Sequence, residues 1–259
     1  MRTFKFLLFF SIILTPSLAF AWGPLTHIYL GNEIFSLGPL LPASVYAIIK
    51  KYRNDFLYGN LMADIIIGKK FLPKDKNSHS WEVALGLLDS AKTRQQKAFV
   101  YGYMSHLAAD TVAHGSFMSK RRNVAHTLVE LRADSIIDKK YWFQAIRIDR
   151  AVQARNDLFL EKSLDRALFS FKTNKRIFRG MLFLSCFNKE RFGDFIQRNS
   201  VDPSVLTKKN IERLQLKSVE RMVDILCNGK SSEVTAKSPM VAIRPPILSS
   251  WLLSQKSDI

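Results

Sequence analysis

A chain of 259 residues, 47% of them hydrophobic, is long enough for one sizeable folded body and too apolar to be disordered. Its 39 Lys and Arg against 22 Asp and Glu leave a net charge of +17, which excludes an acidic solvating segment. That charge suits contact with anionic lipid headgroups or nucleic acid, and equally plain solubility. With only two cysteines, Cys186 and Cys227, a disulfide-built scaffold is excluded.

The first stretch reads as a signal peptide rather than as part of the fold. Arg2 and Lys5 precede the apolar run from Phe6 to Leu14, followed by Pro16 and the small-x-small site Ala19-Phe20-Ala21. The run is too short to span a bilayer comfortably. Removal of residues 1–21 makes Trp22 the mature N-terminus, and the protein is expected in the periplasm or outside the cell. The remaining charge is uneven: residues 22–138 hold 14 Lys and Arg against 10 Asp and Glu, while residues 139–259 hold 23 against 12.

Alternating apolar and polar residues are scarce, so strands are not expected. Helical periodicity is common and places helices at 26–36, with Thr26 as N-cap, and at 43–53 after Pro42. Further segments follow at 56–67, 80–89, 93–117, 124–140, 141–154, 158–171, 175–187 and 203–228. Residues 229–246, polar and Pro-containing, are expected to pack loosely. Cys186 and Cys227 lie in helical patterns, where they either pair or act as small buried apolar residues. The fold class is all-α. It divides into a chemistry-bearing core at 22–140 and a basic helical extension at 141–259.

Five histidines, His27, His79, His106, His114 and His126, all fall in the first half. In the helix at 93–117, His106, Asp110 and His114 recur at steps of four and form one polar ridge. Imidazole and carboxylate together suit a borderline divalent ion such as zinc. The ridge is too long to hold one ion, so it reads as a shared wall, with Asp110 able to bridge. His126 and Glu130 repeat the same step, and His114 would complete a three-ligand site with a position left open. Asp134 and Asp138 continue that ridge, as groups orienting a ligand or, more plainly, as surface charge. Asp64 sits in an apolar run and needs a partner there: a metal, a helix N-cap or an arginine. His79 is its natural fellow ligand. At a new N-terminus, the amine and carbonyl of Trp22 can chelate an ion beside His27, the amine having a pKa of only about 8. Trp22 could otherwise simply open the core.

The ordered set of Trp22, His27, Gly59-x4-Asp64, His79, His106-x3-Asp110, His114 and His126-x3-Glu130 resembles the zinc-dependent phospholipase C family. It is also similar to the trinuclear-zinc fungal nucleases. The short step within Gly102-Tyr103-Met104-Ser105-His106-Leu107-Ala108-Ala109-Asp110 and on to His114 resembles the phospholipase C/D-type domain of glycosylphosphatidylinositol-specific phospholipase D. These motifs cover about residues 22–140. The resemblance implies a phospholipase C/nuclease-like helical bundle with three Zn2+ ions. One ion would take Asp64, His79, His106 and Asp110. A second would take Trp22, His27 and Asp110, and the third His114, His126 and Glu130. Asp64 would be the catalytic group orienting or deprotonating the attacking water, and the ions would activate that water and clamp the phosphodiester. The implied substrate is a phospholipid or glycolipid phosphodiester, with nucleic acid as the alternative and peripheral contact with an anionic membrane in either the enzyme or a non-catalytic zinc protein. Two features depart from the family pattern: the gap between Asp110 and His114 is short, and Ala63 stands where Pro is common.

Overall fold

The computed structural model describes residues 22–65, 77–117, 130–164, 170–185, 193–194, 197–198 and 206–240. Among these the secondary structure is helical, without strands, as the periodicity predicts. The helices are α1 (Pro24–Ser36), α2 (Ala43–Lys51), α3 (Arg53–Met62), α4 (Trp81–Ser90), α5 (Arg94–Phe117), α6 (Lys140–Ile146), α7 (Arg150–Ser163), α8 (Phe171–Ser185) and α9 (Lys208–Asn228).

Helix α5 is the axis around which the others pack. Its residues Phe99, Val100, Tyr103, Met104, Leu107, Ala108, Val112 and Ala113 are all buried, so it is enclosed on every side. A helix buried on all its faces belongs at the centre of a bundle. Helix α3 lies against one side of it and α9 against another. The α3–α5 contact depends on two glycines. A Cβ on Gly59 would fall 2.0 Å from the Phe99 carbonyl oxygen, and one on Gly102 would fall 1.9 Å from that of Phe56. No side chain fits at either position, so the two backbones approach more closely than any other residue would allow. Helix α9 is amphipathic, burying Ile211, Leu214, Ser218, Met222 and Ile225; Thr207 caps its start and Gly229, with φ +53°, follows its end.

A polar tie holds α7 to the start of α3. Buried Asp55 accepts hydrogen bonds from Arg155 Nε (2.9 Å) and Asn156 Nδ2 (2.7 Å), both to Oδ1, and from Arg155 Nη2 at Oδ2. Every oxygen of that carboxylate has a partner supplied by the chain itself.

Several boundaries differ from the sequence reading. Helix α1 begins two residues before Thr26, with Pro24 in its first turn, where the missing N–H costs nothing. The expected helix at 141–154 is two helices: Asp149 caps α7 by accepting from Ala151 N and Val152 N, which stops α6 at Ile146. Nor is the segment after α9 loose over 229–240. Val234 is buried, Trp81 Nε1 donates to the Lys237 carbonyl (2.9 Å), and Asn77 Nδ2 contacts Met240 Sδ (2.8 Å). One hydrophobic core includes residues from Trp22 to Val234. Cys227 is a free thiol and exposed, so it is no core residue; Cys186 lies outside the described residues.

Candidate metal centre

The close crossing of α3 and α5 sets the site. One turn beyond Gly102, His106 points back at α3 and donates from Nδ1 to the Asn60 carbonyl at 2.7 Å. A carbonyl only accepts, so Nδ1 carries the proton, and in the neutral ring the Nε2 lone pair is turned inward. The turn ending α3 holds Asp64, and its Ala63 carbonyl accepts in the same way from His79 Nδ1 at 3.2 Å. His79 is delivered by the loop leading into α4. There Asn77 Oδ1 accepts from the His79 N–H (2.8 Å), Ser80 caps the helix, and the Tyr103 hydroxyl of α5 donates to the Ser78 carbonyl. Both imidazoles therefore face the same point with Nε2. Backbone carbonyls that fix a histidine this way are the usual outer support of a metal ligand.

At that point four ligand atoms, one each from Asp64, His79, His106 and Asp110, lie within 4.8 Å of one another, and all four residues are buried. Asp110 Oδ2 is 2.6 Å from His79 Nε2 and 3.2 Å from His106 Nε2, while Asp64 Oδ1 is 3.6 Å from each. The two Nε2 atoms are 3.3 Å apart. The other oxygen of Asp110 turns the opposite way, 3.2 Å from His27 Nε2, but the alignment makes no hydrogen bond. That oxygen and both ring nitrogens of His27 are buried without a hydrogen-bond partner. The His27 ring stacks on His106 at 3.6 Å between centroids. Buried polar atoms left unmet, and aimed at one another, are costly unless something fills the gap. A cation fits: nitrogen and carboxylate donors, two buried negative charges, and fixed lone pairs.

The titration of the metal-free centre tells the same story. Burial alone would lower the His106 pKa, but Asp64 and Asp110 outweigh it and raise it to about 9. For Asp110, burial acts upward, yet His106 and His27 hold the carboxyl well below its ordinary range. Burial, reinforced by the charge on His106, lowers His27. A proton on His106 thus takes the place that a metal's charge would fill.

The sequence profile of the family described as zinc dependent phospholipase C matches residues 26–177, more than half of the chain. The chain belongs to the zinc-dependent phospholipase C family. That is a family of phospholipase C hydrolases, which act on phospholipid phosphodiesters. The match runs past residue 140, where the quoted motifs end, through α6 and α7 into α8. Searches of curated proteins and of solved structures gave no match.

Of the ligands expected in this family member, Asp64, His79, His106 and Asp110 come together, and His27 stands on the far side of Asp110. Trp22 is fully buried; its Nε1 donates to the Ala109 carbonyl (3.2 Å) and to Ser218 Oγ (3.0 Å). This pins the residue against the turn of α5 that carries Asp110. Glu130 is buried, at the start of helical residues 130–135. The side chain of His114 and all of His126 lie outside the described residues.

The sequence left Asp134 between orienting a ligand and surface charge, and the structure shows it is not surface charge. It is buried and caps α1 from outside, accepting from Leu25 N (3.2 Å), Thr26 N (2.9 Å) and Thr26 Oγ1 (2.8 Å). Thr26 is thus a donor to the cap rather than the cap itself. Gly23 has room only for hydrogen, since a Cβ there would sit 2.4 Å from the Asp134 carboxylate. Burial, opposed by those hydrogen bonds, raises the Asp134 pKa to about 6. The residue fixes the helix that carries His27. Asp138, by contrast, is exposed surface charge.

Proposed function

We propose that the protein is an exported zinc phosphodiesterase with up to three ions, hydrolysing a phospholipid or glycolipid phosphodiester. The observation carrying this reading is the convergence of two buried carboxylates and two carbonyl-oriented imidazoles on one point, with Asp110 presenting its second oxygen to His27. Asp64, His79, His106 and Asp110 would hold one ion. His27 and Asp110, with the amine and carbonyl of Trp22 after signal-peptide removal, would hold a second. His114, His126 and Glu130 would hold the third. When bound, zinc supplies Lewis acidity, lowering the pKa of a water toward neutrality and stabilising negative charge on the phosphodiester oxygens.

The chain's own part is positioning and proton handling. Asn60 and Ala63 keep protons on the two Nδ1 atoms, so that both Nε2 atoms stay available as ligands. Asp64 takes the proton of the attacking water. The water oxygen bonds to phosphorus, the bond from phosphorus to the glycerol oxygen breaks, and that oxygen leaves with a proton as diacylglycerol. The buried walls of α3 and α5 exclude bulk water from the ligands.

His106→Ala is expected to cost both zinc and turnover, the latter on the order of a thousandfold or more. Metal analysis of the secreted protein and release of headgroup phosphate from lipid measure the two. The basic balance of residues 139–259 favours one rival, a nuclease, so single-stranded DNA belongs in the same assay. Zinc-free wild type, or faster hydrolysis of DNA than of lipid, overturns the reading. Mass spectrometry should find Trp22 as the first residue.

A further inference from the structure

Away from the metal centre, α6 forms a ridge between two depressions. On one side lies a cavity of about 370 Å³ between α3, α6 and α8, walled by Leu61, Met62, Trp142, Phe178 and Leu182. Its size is in the range of a small-ligand site, and its walls are mainly apolar, with Gln153, Lys175 and Arg179 also lining it. Leu61 and Met62 form the last turn of α3, which ends just short of Asp64 in sequence. On the other side is a shallow groove lined by Lys140, Phe143, Gln144 and Arg147.

Three large apolar side chains stand out from this region: Phe143 is 48% exposed, Ile146 44% and Phe183 55%. Trp142 beneath them makes ring contacts with both phenylalanines. Cations surround the patch. Lys140 has exposed Asp138 at 3.9 Å, and Lys175 is paired with Asp157, which also accepts from the Tyr58 hydroxyl. Arg147 at the groove and Arg179 at the cavity have no acidic partner among the described residues. Exposed aromatic and aliphatic tips inside a ring of basic groups match a surface that is apolar within and anionic at its face.

We propose that this ridge is a lipid-docking face for an anionic phospholipid bilayer. Phe143, Ile146 and Phe183 enter the acyl region, the cavity behind them receives one acyl chain, and Arg147 and Arg179 meet lipid phosphates. The inference builds on the lipid substrate proposed above, but binding to a bilayer needs no turnover.

The test is partition of the zinc-loaded full chain onto vesicles of phosphatidylcholine alone, and of phosphatidylcholine with phosphatidylglycerol in equal parts, by sedimentation. Alongside it, hydrolysis of monomeric dibutanoyl phosphatidylcholine reports the metal centre without a bilayer. The variant Phe143→Ser/Ile146→Ser/Phe183→Ser should lose vesicle partition about tenfold or more and keep short-chain hydrolysis. Arg147→Glu/Arg179→Glu should lose about tenfold on the anionic vesicles alone, an effect that added salt narrows. All five positions are on the surface, and a retained melting temperature confirms that each variant folds. Unchanged partition in both variants overturns the docking face while leaving the activity intact. Partition lost as expected, with no hydrolysis even in wild type, upholds the face and removes the activity. The sequence also holds an apolar stretch near its end, Ile247-Leu248-Ser249-Ser250-Trp251-Leu252-Leu253; if Trp251→Ser abolishes partition and the α6–α8 variant does not, the membrane contact belongs to that stretch and the proposal falls. It falls equally if the α6–α8 variant loses binding to a single-stranded oligonucleotide but not to vesicles.

Discussion

Two buried carboxylates at the same helical crossing have opposite fates. Asp55, at the start of α3, is met on both oxygens by Arg155 and Asn156, so the chain brings its own cation. Asp110, on α5, is met by imidazole nitrogens, and one of its oxygens has no hydrogen-bond partner at all. A buried polar network that is fully met rigidifies a fold; one left short at a fixed point leaves buried charge for a ligand to meet. The difference separates a structural aspartate from a candidate ligand on the geometry of the molecule itself.

Replacing each carboxylate should therefore break different things. Asp110→Asn removes one of the two buried carboxylate charges of the centre. Zinc content should fall and headgroup release should drop on the order of a thousandfold or more, while the metal-free protein keeps its fold. Asp55→Ala should do the reverse: about 2–3 kcal/mol of stability lost as buried Asn156 and partly exposed Arg155 lose their acceptor, with zinc bound per folded molecule unchanged. Urea titration and metal analysis on the same preparations separate the two. An Asp55 variant that loses zinc while still folded would erase the distinction.

The crossing itself is open to a sharper test. Gly102→Ala puts a methyl group 1.9 Å from the Phe56 carbonyl oxygen, so α3 and α5 must move apart. Overpacking of this kind costs about 1–3 kcal/mol. The same shift draws Asn60 away from His106 Nδ1, so zinc affinity should fall as well. Gly86→Ala, in α4 with nothing within 4 Å of the added methyl, should instead gain up to about 1 kcal/mol by helix propensity. Chemical denaturation of both variants reads the contrast.

The candidate ligands that come together were legible in the sequence because metal chemistry admits few residue types, and because a step of four fixes which of them share a helical face. His106 and Asp110 needed only that. Asp64 and His79 were legible as a pair of polar residues with no other apparent reason to be there. What supports them was not. Asn60 and Ala63 act through backbone carbonyls, which no residue type reveals, and Gly102 matters through a backbone contact 46 positions back, at Phe56. Asp134 shares the ridge of Glu130 and Asp138, and periodicity alone cannot tell that the helical segment ends at 135. It therefore turns inward to cap α1 while Asp138 stays in solvent. The break between α6 and α7 was missed for a related reason: apolar periodicity runs on through Ile146 and Ile148, and only the capping bonds of Asp149 show where the chain stops and restarts.

The mildest perturbation of the contrast is pH. In the metal-free centre His106 has its pKa raised to about 9 from an ordinary 6.5 by Asp64 and Asp110, against the downward pull of burial. Its imidazolium therefore stabilises the empty fold fully below about pH 6.5, and that contribution is lost as pH rises through about 9. Zinc competes with the same proton, because only the neutral ring offers Nε2. Binding at neutral pH must release a proton from His106, so affinity should rise about tenfold per pH unit from pH 6.5 and level off near pH 9. The two states respond in opposite directions: the empty protein melts lower as pH rises across that window, while the temperature gap opened by a fixed zinc concentration widens. Calorimetric titration with zinc in buffers of different ionisation enthalpy counts the proton directly. A proton count near zero at pH 7 would mean that His106 is already neutral in the metal-free protein.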